Sequence, residues 1–369
     1  MTGLHSLIPF LRRGKIPPPR QCLGTREYIA GKAAPGFSFR PLDPPRAAAE
    51  IAEGCGCRIS EWWDGGRYVF PETFCAQIPE GRVYGFGIVL TPENQILRDV
   101  SVEFLPPWDS HSLCRRRCPL PPPEQVDGTV AVLSSKAAEN YFHWLFDVLP
   151  RFALLQGEPV DFYYVESALP FQRESLQALG IREGQVIAAD PDRHVQARRL
   201  CVPSLPGDSG HVSPESCRFL RALFPPQNSP NRRRRLFISR SDASHRRLVN
   251  EDEIFAVLEV RGFEKIVLRG KTVREQADLF GTAEAVVGVH GAGLANFVFC
   301  PPGVRVIEFF SPDYLNFCCG ELAVLQGLDY VHGVGERMGP PESDALRCAR
   351  ADLRISPKLL EDLLPRIDS

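Results

Sequence analysis

The stretch EAVVGVHGAGLANFVF, Glu284 to Phe299, decides the fold class. Its first half is apolar and rich in valine and stops at His290, which reads as a buried parallel strand. Gly291 and Gly293, with Ala292 between them, let the backbone turn tightly, and LANFVF returns as a helix. Such a helix points its free N–H groups and the positive end of its dipole beyond the strand's carboxyl end. The segment is either a pyrophosphate seat, with His290 able to donate to a phosphate oxygen, or a glycine turn that serves packing alone. Its spacing approximates a dinucleotide fingerprint. Asn296 stands where the third glycine would be, however, and the strand is a late one of its set, so nicotinamide binding is disfavoured.

Around this stretch the same alternation continues. RLFISR (Arg235–Arg240) is a strand, and Asn250 with Glu253 caps a helix reaching about Val260. FEKIVL is the next strand, Thr272 with Glu275 caps another helix, and PPGVRVIEFF returns as a strand. Upstream, TVAVLSS (Thr129–Ser135), DFYYVE (Asp161–Glu166) and QVIAAD (Gln185–Asp190) form an earlier set with a helix around Phe171–Leu179. Strands alternating with capped helices predict an α/β protein with two Rossmann-like, doubly wound sets facing a cleft. The expected division is an irregular segment over 1–60, a small β region over 61–118, and Rossmann-like domains over 119–228 and 229–369.

Four polar positions punctuate the apolar run NYFHWLFDVLPR, Asn140 to Arg151. On an α-helix Asn140, His143 and Asp147 share a narrow stripe. The i, i+4 spacing lets the Asp147 carboxylate orient the His143 imidazole, as a general base needs. A buried polar cluster that fixes helix packing has the same pattern. Pro150 is expected to end or kink the helix, and Arg151 and Asn140 stand as acceptor-side or structural residues. Arg240, at the carboxyl end of its strand, is placed to clamp a phosphate bidentately, with Arg246 and Arg247 nearby. Glu308 can accept ribose hydroxyls or form a structural ion pair. The Asp190–Asp192 pair in DPD matches the Asp-x-Asp of metal-dependent sugar transferases, although its central proline favours a plain turn.

The bulk numbers exclude several classes. With 369 residues, 44% hydrophobic and 24% charged, the chain is globular and large enough for two domains. A formal net charge of -2 gives no reason to expect nucleic acid. Twelve cysteines are scattered; CGC (Cys55–Cys57) and CRRRC (Cys114–Cys118) resemble half a zinc site, and no second half completes either. MTGLHSLIPFLRRGK has its basic residues after a short apolar run, the reverse order of a secretory signal, and no apolar run approaches membrane-spanning length. The expectation is therefore a reduced, cytoplasmic protein, at most peripheral to the inner face of a membrane.

Three segments in order, NYFHWLFD, ISRSDASHRRLVNE and GVHGAGLANFVFCPPG with VIEFF, resemble glycosyltransferase family 61. That family includes capsular-polysaccharide-type and EGF-domain or xylan-type sugar transferases. The resemblance runs from about Thr129 to Phe310. It implies a GT-B fold, with an acceptor-side domain followed by a nucleotide-sugar domain. It also implies inverting transfer from a UDP-linked donor to a saccharide or glycolipid hydroxyl, without a metal or other cofactor. His143 and Asp147 would supply the base. Arg240, His290, Gly291, Ala292, Gly293, Asn296, Glu308, Asn250 and Glu251 would form the donor site. The alternatives are a catalytically silent nucleotide- or glycan-binding protein on the same fold, or a metal-dependent transferase using DPD.

Overall fold

The computed structural model describes residues 15–55, 66–104, 110–227, 233–339 and 344–368. Residues 1–14, Cys57 and the side chain of Cys55 lie outside them. The chain is mixed α/β and forms two compact units. The first comprises the residues up to Pro45 with Pro71–Ser209, and the second Arg46–Phe70 with Gly210–Ser369.

The first unit is built on β1 (Glu124–Val132), β2 (Phe162–Val165), β3 (Val186–Ala188) and β4 (His194–Pro203), parallel in the order β4-β1-β2-β3. Both faces of β1 are buried from Thr129 to Val132, as a central parallel strand requires. Six further strands, mostly antiparallel to their neighbours, extend this sheet to ten. Thr73–Pro79 and Arg82–Tyr84 pair directly with β4, and Ser38–Asp43, Ile88–Leu90, Ile96–Leu97 and Cys22–Leu23 follow outward. Most strands expected as a small separate β region thus belong to the main sheet, whereas Val69–Phe70 pairs only with Arg46–Ala47. Thr73–Ile78 is buried on both faces and needs neighbours on both sides, which Ser38–Asp43 and β4 supply. The segment expected to be irregular also carries structure, including helices Thr25–Ala30 and Ala48–Cys55. Its strands pair with partners far along the chain, so no local period announces them.

The second unit holds five parallel strands: β5 (Arg234–Ile238), β6 (Phe263–Ile266), β7 (Ala283–Val289), β8 (Arg305–Phe310) and β9 (Asp329–Val334), in the order β6-β5-β7-β8-β9. Strand order reverses between β5 and β7, and ligands of such sheets bind beyond the carboxyl ends at that reversal. Arg240 and His290 follow those two strands. The capping box of Thr272 and Glu275 forms and starts Val273–Gly281. Helix Pro214–Leu223 belongs to this unit, because Arg221 donates to the carbonyls of Val298 and Cys300, both at 2.9 Å. The crossing therefore falls at Ser209–Gly210, ahead of the proline-rich punctuation that suggests a boundary near 228. No helix among the described residues is long and apolar enough to cross a membrane.

Candidate active site

In the first unit, the segment after β1 turns at Asn140, whose side-chain oxygen accepts the Phe142 amide (2.9 Å). Asn140 is thus a helix cap and not part of a polar stripe. Tyr141–His143 is one short helical turn. The backbone then widens over Trp144–Val148, so that Leu149 N–H donates to the Trp144 carbonyl five residues back (3.1 Å). Widened turns of this kind are frequent at functional sites. Across the widening, His143 Nδ1 and Asp147 Oδ2 are 2.8 Å apart. The Asp147 side chain is 3% exposed, whereas that of His143 keeps 21% of its surface open. Ser209 Oγ donates to Asp147 Oδ2 and lies 3.2 Å from His143 Nδ1. With Nδ1–H directed at the carboxylate, the imidazole lone pair sits on Nε2, which bonds no protein group among the described residues. A histidine held in this way can take a proton at Nε2.

The helix resumes past Pro150. Arg151 is fully buried, and its guanidinium donates to the carbonyls of Ser134 (2.9 Å), Leu133 (3.3 Å) and Pro203 (2.7 Å). Burial holds its pKa down to about 10, still charged at neutral pH. Arg151 therefore ties the carboxyl ends of β1 and β4 together; the segments carrying His143 and Ser209 both start from that tie. Its role is structural. Glu166, after β2, accepts Ser134 Oγ (2.6 Å), and burial pushes its carboxyl up to about 7 against that bond and the Arg151 charge. Sequence reasoning passes over both Ser209 and Glu166. Ser209 lies in a glycine-rich loop 62 residues from Asp147 and carries no local signal.

In the second unit, Arg240 Nε donates to the Arg246 carbonyl (2.9 Å) and Nη2 to the His245 carbonyl (2.8 Å). Its Nη1 lies over Gly291, where an added Cβ would come within 1.9 Å of it. Gly291 is extended, with φ 167°, so the close approach of the guanidinium and not turn strain requires glycine there. Burial lowers the Arg240 pKa to about 10, and the Arg246 charge acts in the same direction. Gly291 also leads into the helical turns Ala292–Phe299, whose first internally bonded amide is Leu294 N–H to Gly291 C=O (2.9 Å). The amides of Ala292 and Gly293 precede it. These turns are 3₁₀ in character and not the α-helix expected.

His290 is buried, stacks on Phe310 with ring centroids 5.1 Å apart, and holds Nδ1 2.7 Å from Glu308 Oε1. Glu308 is fully buried, and its Oε2 accepts the Tyr330 hydroxyl (2.6 Å). Both carboxylate oxygens are thus occupied, and Glu308 faces His290 and not a ribose. Here too the carboxylate selects the tautomer of its histidine.

Residues 141–307 match the family model described as Glycosyltransferase 61. The chain carries a glycosyltransferase 61 domain. Over 235 residues it is 22% identical to the EGF domain-specific O-linked N-acetylglucosamine transferase of Drosophila melanogaster. That match covers 56% of this chain and 45% of the relative, so the chain spans less than half the length of the curated relative it matches. The glycosyltransferase 61 match contains His143, Asp147, Ser209, Arg240 and His290, and ends one residue before Glu308.

Other residues expected in the donor site of this glycosyltransferase 61 domain are structural. Asn250 does not cap its helix. Its side-chain amide donates to Glu253 (2.8 Å) and to the Ile355 carbonyl (2.8 Å), and its oxygen accepts the Ile355 amide (3.2 Å). Glu251 accepts Ser239 Oγ (2.7 Å) and the Arg240 amide (3.0 Å), which positions the end of β5. Asn296 is fully buried and donates to Gln276 (2.8 Å) and to the Gly293 carbonyl (2.9 Å), locking the glycine turn. In DPD, Asp190 accepts the Asp192 amide (3.1 Å) and Asp192 accepts the Tyr84 hydroxyl (3.2 Å), as in a plain turn. Cys114 of CRRRC lies 3.6 Å from Cys22, while Cys118 is exposed.

Among the described residues, His290, Glu308 and Cys319 bring ligand-type atoms within 4.8 Å of one another. The carboxylate is already shared by His290 and Tyr330, and the Arg246 cation acts on both Glu308 and Cys319. This donor set is a hydrogen-bonded cluster with a positive charge beside it, a poor host for a divalent cation.

Proposed function

We propose that this chain is an inverting, metal-independent glycosyltransferase of GT-B type. It would move a sugar from a nucleotide-sugar donor, UDP-linked, to a hydroxyl of a saccharide or glycoconjugate acceptor, in surface polysaccharide biosynthesis at the cytoplasmic face of a membrane. The observation that carries the reading is the His143–Asp147 pair with Nε2 open. In one displacement, His143 Nε2 takes the acceptor hydroxyl's proton while the oxygen attacks the anomeric carbon opposite the leaving group. The bond from that carbon to the phosphate oxygen breaks, and the nucleoside diphosphate departs with the electron pair. Asp147 then faces an imidazolium, which it stabilises. The departing charge is met by Arg240 Nη1, by the amides of Ala292 and Gly293, and by His290 as an imidazolium that Glu308 supports, an arrangement suited to diphosphate without a metal. Glu308, Glu251 and Asn296 hold these groups in place.

The test is a panel of nucleotide sugars with mono- and disaccharide acceptors, run with EDTA and with Mg²⁺, the product's anomeric configuration being read by NMR. Inverted product formed equally in EDTA is expected. Retained configuration, or strict metal dependence, would overturn the mechanism.

A further inference from the structure

Phe86 and Phe104 are the two large aromatic side chains exposed among the described residues, at 38% and 39%. Phe104 lies against the open histidine: its ring centroid is 5.8 Å from that of His143, tilted by 54°. It is also pinned. Glu103 Oε1 accepts the Phe104 amide (2.9 Å) and the Lys136 ammonium (2.6 Å), and Oε2 accepts the Ser112 amide (3.0 Å). Burial works against the Glu103 charge, but these donors outweigh it and hold the carboxyl near 2. The Lys136 ammonium in turn lies 5.8 Å from the Phe104 ring centre. A hydrophobe kept in water, fixed at its backbone and set beside a histidine with a free nitrogen is a surface made to be covered. The C–H face of a pyranose is weakly positive and apolar, which suits the negative face of an aromatic ring.

Resting on the base assignment above, we propose that Phe104 is the acceptor platform: a pyranose ring stacks on it and thereby brings its hydroxyl to His143 Nε2. The acceptor is then a saccharide, recognised through a ring face, and not a bare serine or threonine of a polypeptide. Lys136 lies beside the ring and can meet its equatorial hydroxyls.

The probes are methyl β-D-glucoside, methyl β-D-xyloside and methyl β-D-N-acetylglucosaminide, with binding followed by ligand-observed NMR titration on the full chain. Binding of uridine diphosphate is measured calorimetrically on each preparation. Wild type should bind at least one glycoside, and Phe104→Ala should weaken it ~10-fold, a loss of the size aromatic contacts give. Phe104→Trp should restore binding, and Phe86→Ala should leave it unchanged. Uridine diphosphate affinity should be the same throughout, showing that the variants are folded. Equal glycoside binding by wild type and Phe104→Ala would overturn the proposal. So would a wild type that binds none of the glycosides, or one that transfers to a serine peptide and not to them. Failure of wild type to bind uridine diphosphate would instead count against the transferase reading itself.

Discussion

Of the histidines held by carboxylates among the described residues, two invite comparison, His143 with Asp147 and His290 with Glu308, at 2.8 and 2.7 Å. The first pair is local, four residues apart across a widened helical turn, and leaves His143 partly open. The second is assembled across neighbouring parallel strands and is buried, with Tyr330 on the far carboxylate oxygen. The same hydrogen bond therefore serves two ends. An open imidazole with a free Nε2 can accept a proton. A buried one stacked on Phe310 with Tyr314 tilted beside it, at the mouth of a glycine turn, can donate to a phosphate from Nε2 as the imidazolium, with Glu308 facing its charge.

The comparison breaks most sharply at Asp147. Asp147→Asn keeps the shape but no longer enforces the tautomer, so turnover should fall by ~10²–10⁴-fold with nucleoside diphosphate affinity unchanged. Steady-state kinetics beside calorimetry read both. Gly291→Ala should do the reverse. Its methyl group displaces Arg240 Nη1, and donor affinity should drop ~10–100-fold, the cost of misplacing one charged hydrogen bond. Ser209→Ala removes the second donor to Asp147 and should lower turnover only ~3–10-fold, a neutral hydrogen bond's worth.

Glu166 gives the smallest effect, on stability and not on turnover. Its folded pKa of about 7 stands above the ordinary 4.5, so between those values the unfolded chain releases this proton first. Stability should therefore decline as pH rises from 4.5 to 7. In Glu166→Gln that part of the decline, roughly 2–3 kcal/mol, should be absent from denaturant melts across the range.

The difference between the two pairs also explains what the amino-acid sequence discloses. His143 and Asp147 were legible because helical periodicity places them side by side within one apolar run. Four of the second unit's five strands were legible for a similar reason, each a short apolar run, and Thr272 with Glu275 caps as expected; the fifth, Asp329–Val334, was not. Glu308 stayed open between a ribose and a structural ion pair because its partner depends on register, Gly288 against Glu308 and Glu308 against His332, which no local pattern encodes. Asn250 and Glu251 read as donor ligands for the same reason. Their partners, Ile355, Ser239 and Arg240, become visible only once the strand ends and the C-terminal segment are placed. Ser209 had no signal at all, and Ser38–Asp43 and Thr73–Pro79 join the first sheet across dozens of residues.

The most direct test is a matched pair of variants, His143→Ala and His290→Ala, assayed together for turnover at saturating donor and for nucleoside diphosphate affinity. The account predicts that His143→Ala loses at least ~10²-fold in turnover and keeps its affinity, whereas His290→Ala loses affinity first. Near-normal turnover in His143→Ala would contradict it, and the open pair would then be a packing feature of the helix.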